Sequence, residues 1–85
     1  MSQPEPVEVR LPDLGLSAQS LTIGDWRQRA GSYIVAGDSL VEILSSSAAI
    51  DIPSPATGVV VRVLVETGQP VQDGQALALI RPDAD

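Results

Sequence analysis

The 85 residues include no cysteine, no histidine, no lysine and no phenylalanine. Without cysteine there is neither a disulfide framework nor a thiolate metal site. The lack of histidine removes the commonest metal ligand and the usual general base near neutral pH. Transition-metal hydrolysis and Ser-His or Cys-His catalysis are thereby excluded. All five cationic side chains are arginines, set against eleven acidic residues, for a formal net charge of −6. A surface of that sign repels phosphate backbones and anionic membranes, and the arginines form no cluster in sequence, so neither nucleic acid nor membrane is an expected partner. Long apolar runs are missing as well. Val59-Val60-Val61 is interrupted by Arg62 before Val63-Leu64-Val65, far below the roughly 20 residues of a membrane span. The opening Met1-Ser2-Gln3-Pro4-Glu5 lacks the basic and apolar regions of a secretory signal, so a cytoplasmic setting is expected.

What is present points to one small domain. A chain this short buries only about 60% of the surface its unfolded form exposes, which leaves little room for a deep pocket. Chemistry would sit on a surface loop, or the domain would present a group for another protein to act on. Apolar residues recur with a period of two: Val7, Val9 and Leu11; Leu21 and Ile23; Val41 and Ile43; Ile50 and Ile52. Such short alternating bursts predict half-buried strands. Seven Gly and seven Pro punctuate the chain, and no long window reads as an amphipathic helix. Residues 1–6 read as a loose lead-in, 7–81 as the domain, and 82–85 as a tail or the start of a linker. Pro53-Ser54-Pro55-Ala56-Thr57-Gly58 reads as a crossover or turn. The expected class is all-β.

An internal repeat is the most informative feature. Gly31, Ile34, Gly37, Leu40 and Ile43 recur 37 positions later as Gly68, Val71, Gly74, Leu77 and Ile80. Each copy reads as a turn, a short apolar anchor, a second turn whose glycine takes positive φ, and a strand pointing Leu and Ile inward. Neither unit can bury a face alone, so the two are expected to pack as the two sheets of a sandwich.

Leu11-Pro12-Asp13-Leu14-Gly15, followed by Leu21-Thr22-Ile23-Gly24-Asp25-Trp26, resembles the opening of a known family, the lipoyl domains of 2-oxo acid dehydrogenase complexes. Ala36-Gly37-Asp38-Ser39-Leu40-Val41-Glu42-Ile43 resembles their Gly-Asp-x-Leu-x-Glu-Ile strand. Ile50 to Val60 resembles the descent from the modification hairpin, and Glu66 to Gln75 resembles the second glycine repeat. The resemblance implies a flattened barrel or sandwich of two four-stranded antiparallel sheets with internal pseudo-two-fold symmetry (a barrel-sandwich hybrid). It also implies a tight hairpin displaying a lysine, flanked by Asp and Ala, whose amine carries lipoic acid. Such a domain catalyses nothing; it positions a cofactor that holds the chemistry.

Counting from Glu42-Ile43 on one side and Pro53-Ser54-Pro55 on the other places Ser47 at the position of that lysine. Ser46 stands where the preceding Asp would be, and Ala48 matches the Ala after it. Without an amine no lipoyl or biotinyl amide can form, so no cofactor is expected. A modified Ser47 is disfavoured, because its hydroxyl is a poor nucleophile with no base nearby. Serine and alanine there suit a hairpin turn. Glu42 and Asp51 are expected on the solvated faces of two strands, and Trp26 in or near the core. Leu16 and Leu44 occupy places that are usually acidic in the family, so they either form a small apolar contact patch or fold back onto their own loops.

The resemblance therefore implies a non-lipoylated structural or interaction module, with the proteins of a dehydrogenase-type complex, an acyltransferase component above all, as partners. Two other readings stay open at this level. One is a carrier whose lysine was replaced by engineering. The other is a sandwich domain of an efflux-type adaptor, in which a long helical hairpin would stand where this chain has only Ser45 to Ala49.

Overall fold

A computed structural model describes residues 5–15 and 20–83. Leu16 and most of the expected lead-in and tail lie outside them. The described residues form eight strands: β1 (Val7–Arg10), β2 (Leu21–Trp26), β3 (Tyr33–Ile34), β4 (Ser39–Leu44), β5 (Ala49–Pro53), β6 (Gly58–Val63), β7 (Pro70–Val71) and β8 (Ala76–Pro82). No helix occurs among them. Sheet A has the order β1-β8-β6-β3, and sheet B the order β5-β4-β2-β7. Every pairing is antiparallel. The sheets stay separate and do not close into a barrel.

The sequence repeat is the architecture. β2, β3 and β4 begin at residues 21, 33 and 39, and β6, β7 and β8 begin 37 residues later at 58, 70 and 76. Exchanging β1–β4 with β5–β8 turns one sheet order into the other. The two units do not each supply a sheet, as the repeat alone suggested. Each sheet instead takes two strands from either unit, because β8 inserts between β1 and β6 while β4 inserts between β5 and β2. Backbone hydrogen bonds occur in matched pairs. Gly31 N–H donates to Val60 O at 2.7 Å and Gly68 N–H to Ile23 O at 2.8 Å. Gly37 N–H likewise donates to Ser54 O and Gly74 N–H to Leu11 O. All four repeat glycines have positive φ, at 96°, 94°, 89° and 81° for Gly31, Gly37, Gly68 and Gly74. β1 and β5 fall outside the common spacing because ten residues (11–20) separate β1 from β2, whereas four (54–57) separate β5 from β6.

Alternation buries one face of each sheet. Ile23, Ile34, Leu40, Ile43 and their partners Val60, Val71, Leu77 and Ile80 meet in a single core, together with Val9, Leu11 and Val65. Consecutive residues Leu40 and Val41 are both buried, since the β4–β5 register shifts between Ser39 and Val41. Pro53 is tolerated as the last residue of β5 because that strand is a sheet edge. Gly58 starts β6 where no side chain fits: a Cβ there would lie 2.0 Å from Arg81 O and 2.8 Å from Pro82 Cα.

The same organisation separates the two ends of the molecule. β8 runs through Pro82, one residue beyond the expected boundary at Arg81. Asp83 N–H then donates to Thr57 O at 2.9 Å, and its carboxylate accepts from Tyr33 Oη at 2.6 Å. Thr57 Oγ1 accepts from Ala36 N–H at 2.8 Å, just before β4 begins. Asp83 therefore lies beside the base of the β4–β5 hairpin. The hairpin tip lies the length of β4 away, roughly 20 Å at about 3.3 Å per residue.

Candidate functional site: the β4–β5 hairpin

Five cross-strand pairs bring the hairpin to its tip: Ser39↔Pro53, Val41↔Ile52, Glu42↔Asp51, Ile43↔Ile50 and Leu44↔Ala49. Ser45 and Ala48 close the turn, with Ser45 N–H donating to Ala48 O at 2.9 Å. The Ser45 hydroxyl oxygen accepts from Ala48 N–H at 3.0 Å and from Ser47 N–H at 3.2 Å. Its own proton reaches Ala48 O at 3.3 Å. One short side chain thus satisfies the inward-pointing backbone groups of the turn, which is why serine suits this position. Ser46 and Ser47 form the exposed tip. Ala49 belongs to β5 and not to the turn, so the connection is a four-residue turn with no space for an inserted helical hairpin.

Below the tip, Glu42 and Asp51 stand opposite one another on β4 and β5, and Arg27 sits over both. Its Nη2 lies 3.4 Å from Glu42 Oε2 and 3.4 Å from Asp51 Oδ1, and Nη1 lies 3.9 Å from Asp25 Oδ2. A guanidinium shared among three carboxylates is a solvated ion-pair network, not an acid–base dyad. Composition and spacing did not reveal Arg27 in this role, since the bulge in β2 brings it there. The register between β2 and β4 slips between Ile23 and Trp26. Gly24 lies in that slip, and a Cβ on it would meet Glu42 Oε1 at 2.6 Å and Leu44 Cγ at 3.1 Å. A glycine inside an otherwise alternating strand is the available signal for such a bulge.

Leu44 is the last residue of β4 and is 38% exposed, lying against Gly24. Its companion in the expected apolar patch, Leu16, lies outside the described residues. Trp26 is half-buried against the core and its indole N–H donates to Val65 O at 3.0 Å, which leaves its ring edge engaged in packing. A shallow groove beside it is lined by Asp25, Gln28, Arg29, Val63 and Glu66. No group of acidic residues among the described residues is placed to hold a metal ion.

A family model described as biotin-requiring enzyme, the biotin–lipoyl domain, matches residues 7–80. The chain belongs to this family. This biotin–lipoyl domain is 37% identical over 79 residues to the dihydrolipoyllysine-residue acetyltransferase component of the pyruvate dehydrogenase complex from Staphylococcus aureus, covering 92% of the chain and 18% of that protein. It is 27% identical over 77 residues to the succinyltransferase component of the 2-oxoglutarate dehydrogenase complex from Bartonella vinsonii, covering 91% of the chain and 19% of that protein. The chain thus spans less than a fifth of the length of these relatives. Among solved structures, the lipoyl domain of the Azotobacter vinelandii 2-oxoglutarate dehydrogenase complex superimposes with a TM-score of 0.66 at 16% identity, covering 92% of this chain and 98% of that one. A single-chain long-chain acyl-CoA carboxylase superimposes with a TM-score of 0.79 at 22% identity, covering all of this chain and 8% of that one. The fold is therefore shared by lipoyl domains and by a segment of a carboxylase. Lipoyl domains are carriers and not catalysts in their own right.

The residues of this biotin–lipoyl domain do not fit an amide-linked carrier group. No lysine occurs in the chain, and the tip is made by two serines. A serine hydroxyl could give only an ester, and the chain has no histidine to activate it.

Proposed function

We propose that this chain is a lipoyl-type domain that carries no lipoyl or biotinyl group and serves as a structural or interaction module. Its partners in this reading are the proteins of a 2-oxo acid dehydrogenase-type complex, and its parent chain is an acyltransferase component working in the cytoplasm. The observation that carries the reading is the hairpin tip. Ser47 stands, by the count from Glu42-Ile43 and from Pro53-Ser54-Pro55, where lipoyl domains present their lysine. The scaffold around it is otherwise complete: the turn is closed by Ser45, the two flanking strands are in register, and the core beneath them is continuous. A scaffold kept whole around a missing attachment point fits a role in shape and contact.

The direct test is transfer in vitro. The chain is incubated with a lipoate ligase, lipoate and ATP beside a lipoyl domain that has its lysine. The lysine-bearing domain is expected to gain a lipoyl mass while this chain gains none. Any lipoyl mass on this chain overturns the reading.

A further inference from the structure

The internal symmetry supplies a comparison that a single sheet would not offer. Positions 37 residues apart occupy equivalent places, and in the core both members of each pair are aliphatic: Ile23 with Val60, Ile34 with Val71, Leu40 with Leu77 and Ile43 with Ile80. On the outer faces they diverge. Sheet B presents Thr22, Asp25, Glu42 and Leu44, where sheet A presents Val59, Arg62, Leu79 and Arg81. The pairing places these residues together: Val59 opposite Arg81 and Arg62 opposite Leu79 on sheet A, with Thr22 opposite Leu44 on sheet B. The fold fixes the inner residues and leaves the outer ones free, so the contrast between the faces answers to what lies outside the domain.

The charges of the two faces are also settled differently. On sheet B, Asp25, Glu42 and Asp51 share Arg27. On sheet A, Arg10 pairs with Glu8, and Asp83 accepts the Tyr33 hydroxyl. Arg62 and Arg81 are exposed and have no ion pair among the described residues. They border half-buried Val59 and Leu79, with Tyr33, 55% exposed, at the sheet edge. On a chain of net charge −6, this is an apolar strip bordered by two guanidiniums outside any ion pair among the described residues, with Glu8, opposite Leu79 on β1, already paired to Arg10. Arginine beside apolar and aromatic surface is the composition enriched in protein contact sites.

We propose that the outer face of sheet A, centred on Arg62, Leu79 and Arg81, docks an acidic surface of a partner protein. Charge complementarity selects that occupant. A polyphosphate or nucleic acid would meet two free arginines and the repulsion of the remaining carboxylates. A second copy would bring its own net charge of −6 and, on sheet B, carboxylates that already share Arg27; such a heterologous contact would build rings or open chains and not a two-fold dimer. The proposal concerns the sheet face and does not depend on whether Ser47 is modified.

The test is a heteronuclear NMR titration of the 85-residue chain with an acidic peptide containing glutamate and leucine, at low and high salt. Amide shifts are expected at Val59, Arg62, Leu79 and Arg81, weakening as salt rises. R62E/R81E should weaken binding by about tenfold or more, as charge reversal at a steered contact does, while R27E on the opposite face leaves it unchanged. Shifts confined to other surfaces, or equal binding by R62E/R81E with its spectrum otherwise native, overturn the proposal. So does binding of polyphosphate in place of the peptide, or concentration-dependent shifts on both sheet faces without any peptide.

Discussion

Ser45 organises the hairpin tip with one hydroxyl that accepts two backbone N–H groups and donates to a carbonyl, and Ser47 beside it offers a hydroxyl and no amine. S47K places an amine at the tip, and its backbone N–H can keep the bond to Ser45 Oγ. The expected outcome is a folded variant that accepts lipoate from a ligase, read by intact mass. Tyr33 provides a second residue-level test. Its hydroxyl donates to the Asp83 carboxylate, and that hydrogen bond, with the negative charge behind it, raises the pKa above the ordinary tyrosine value of 10.0. The folded pKa lies above the unfolded one, so any stability from this contact is present below pH 10 and is lost as pH rises through the folded value. Tyr33 is the only tyrosine, so an ultraviolet titration reads it alone. The midpoint should fall in D83N.

At the scale of the elements, the glycines separate two kinds of constraint. Gly58 faces backbone at distances no Cβ tolerates, and G58A should cost about 3 kcal/mol through overpacking against the β8 main chain. Gly24 faces the movable side chains of Glu42 and Leu44, so G24A should cost less, about 1 kcal/mol. Gly37 and Gly74 have nothing near the missing Cβ but take φ of 94° and 81°. There G37A and G74A should each cost about 1–2 kcal/mol from backbone strain alone, and by similar amounts because the positions are equivalent. Urea unfolding midpoints would rank all four. These elements were also where the sequence was most legible. The 37-residue spacing and the period-two bursts pointed to strands, turns and positive-φ glycines, because packing and backbone sterics leave direct marks on residue type. Tertiary consequences left no such mark. The exchange of strands between units, the Arg27 bridge over Glu42 and Asp51, and the Tyr33–Asp83 contact each join residues whose separation carries no period. The hairpin tip was legible through resemblance and count, while the apolar pair proposed for Leu16 and Leu44 rests on a residue outside the described structure.

For the whole molecule, a short chain gains stability by closing one core from two interleaved halves. Leu40 and Ile43 from one half pack with Leu77 and Ile80 from the other, all fully buried. Removing either half would leave both sheets short of alternate strands, so unfolding should be a single cooperative transition. I43A and I80A should each cost roughly 2–5 kcal/mol as cavity-forming changes, with calorimetric and van't Hoff enthalpies in agreement. That scaffold holds the tip roughly 20 Å from the base of the β4–β5 hairpin, and no lysine occurs in the chain to stand at that tip. The decisive measurement is the intact mass of this chain isolated from cells with active lipoylation and biotinylation, alongside S47K produced in the same way. The native chain should show only its sequence mass while S47K gains a lipoyl group. A lipoyl or biotinyl mass on the native chain would contradict the proposal that it is an unmodified module.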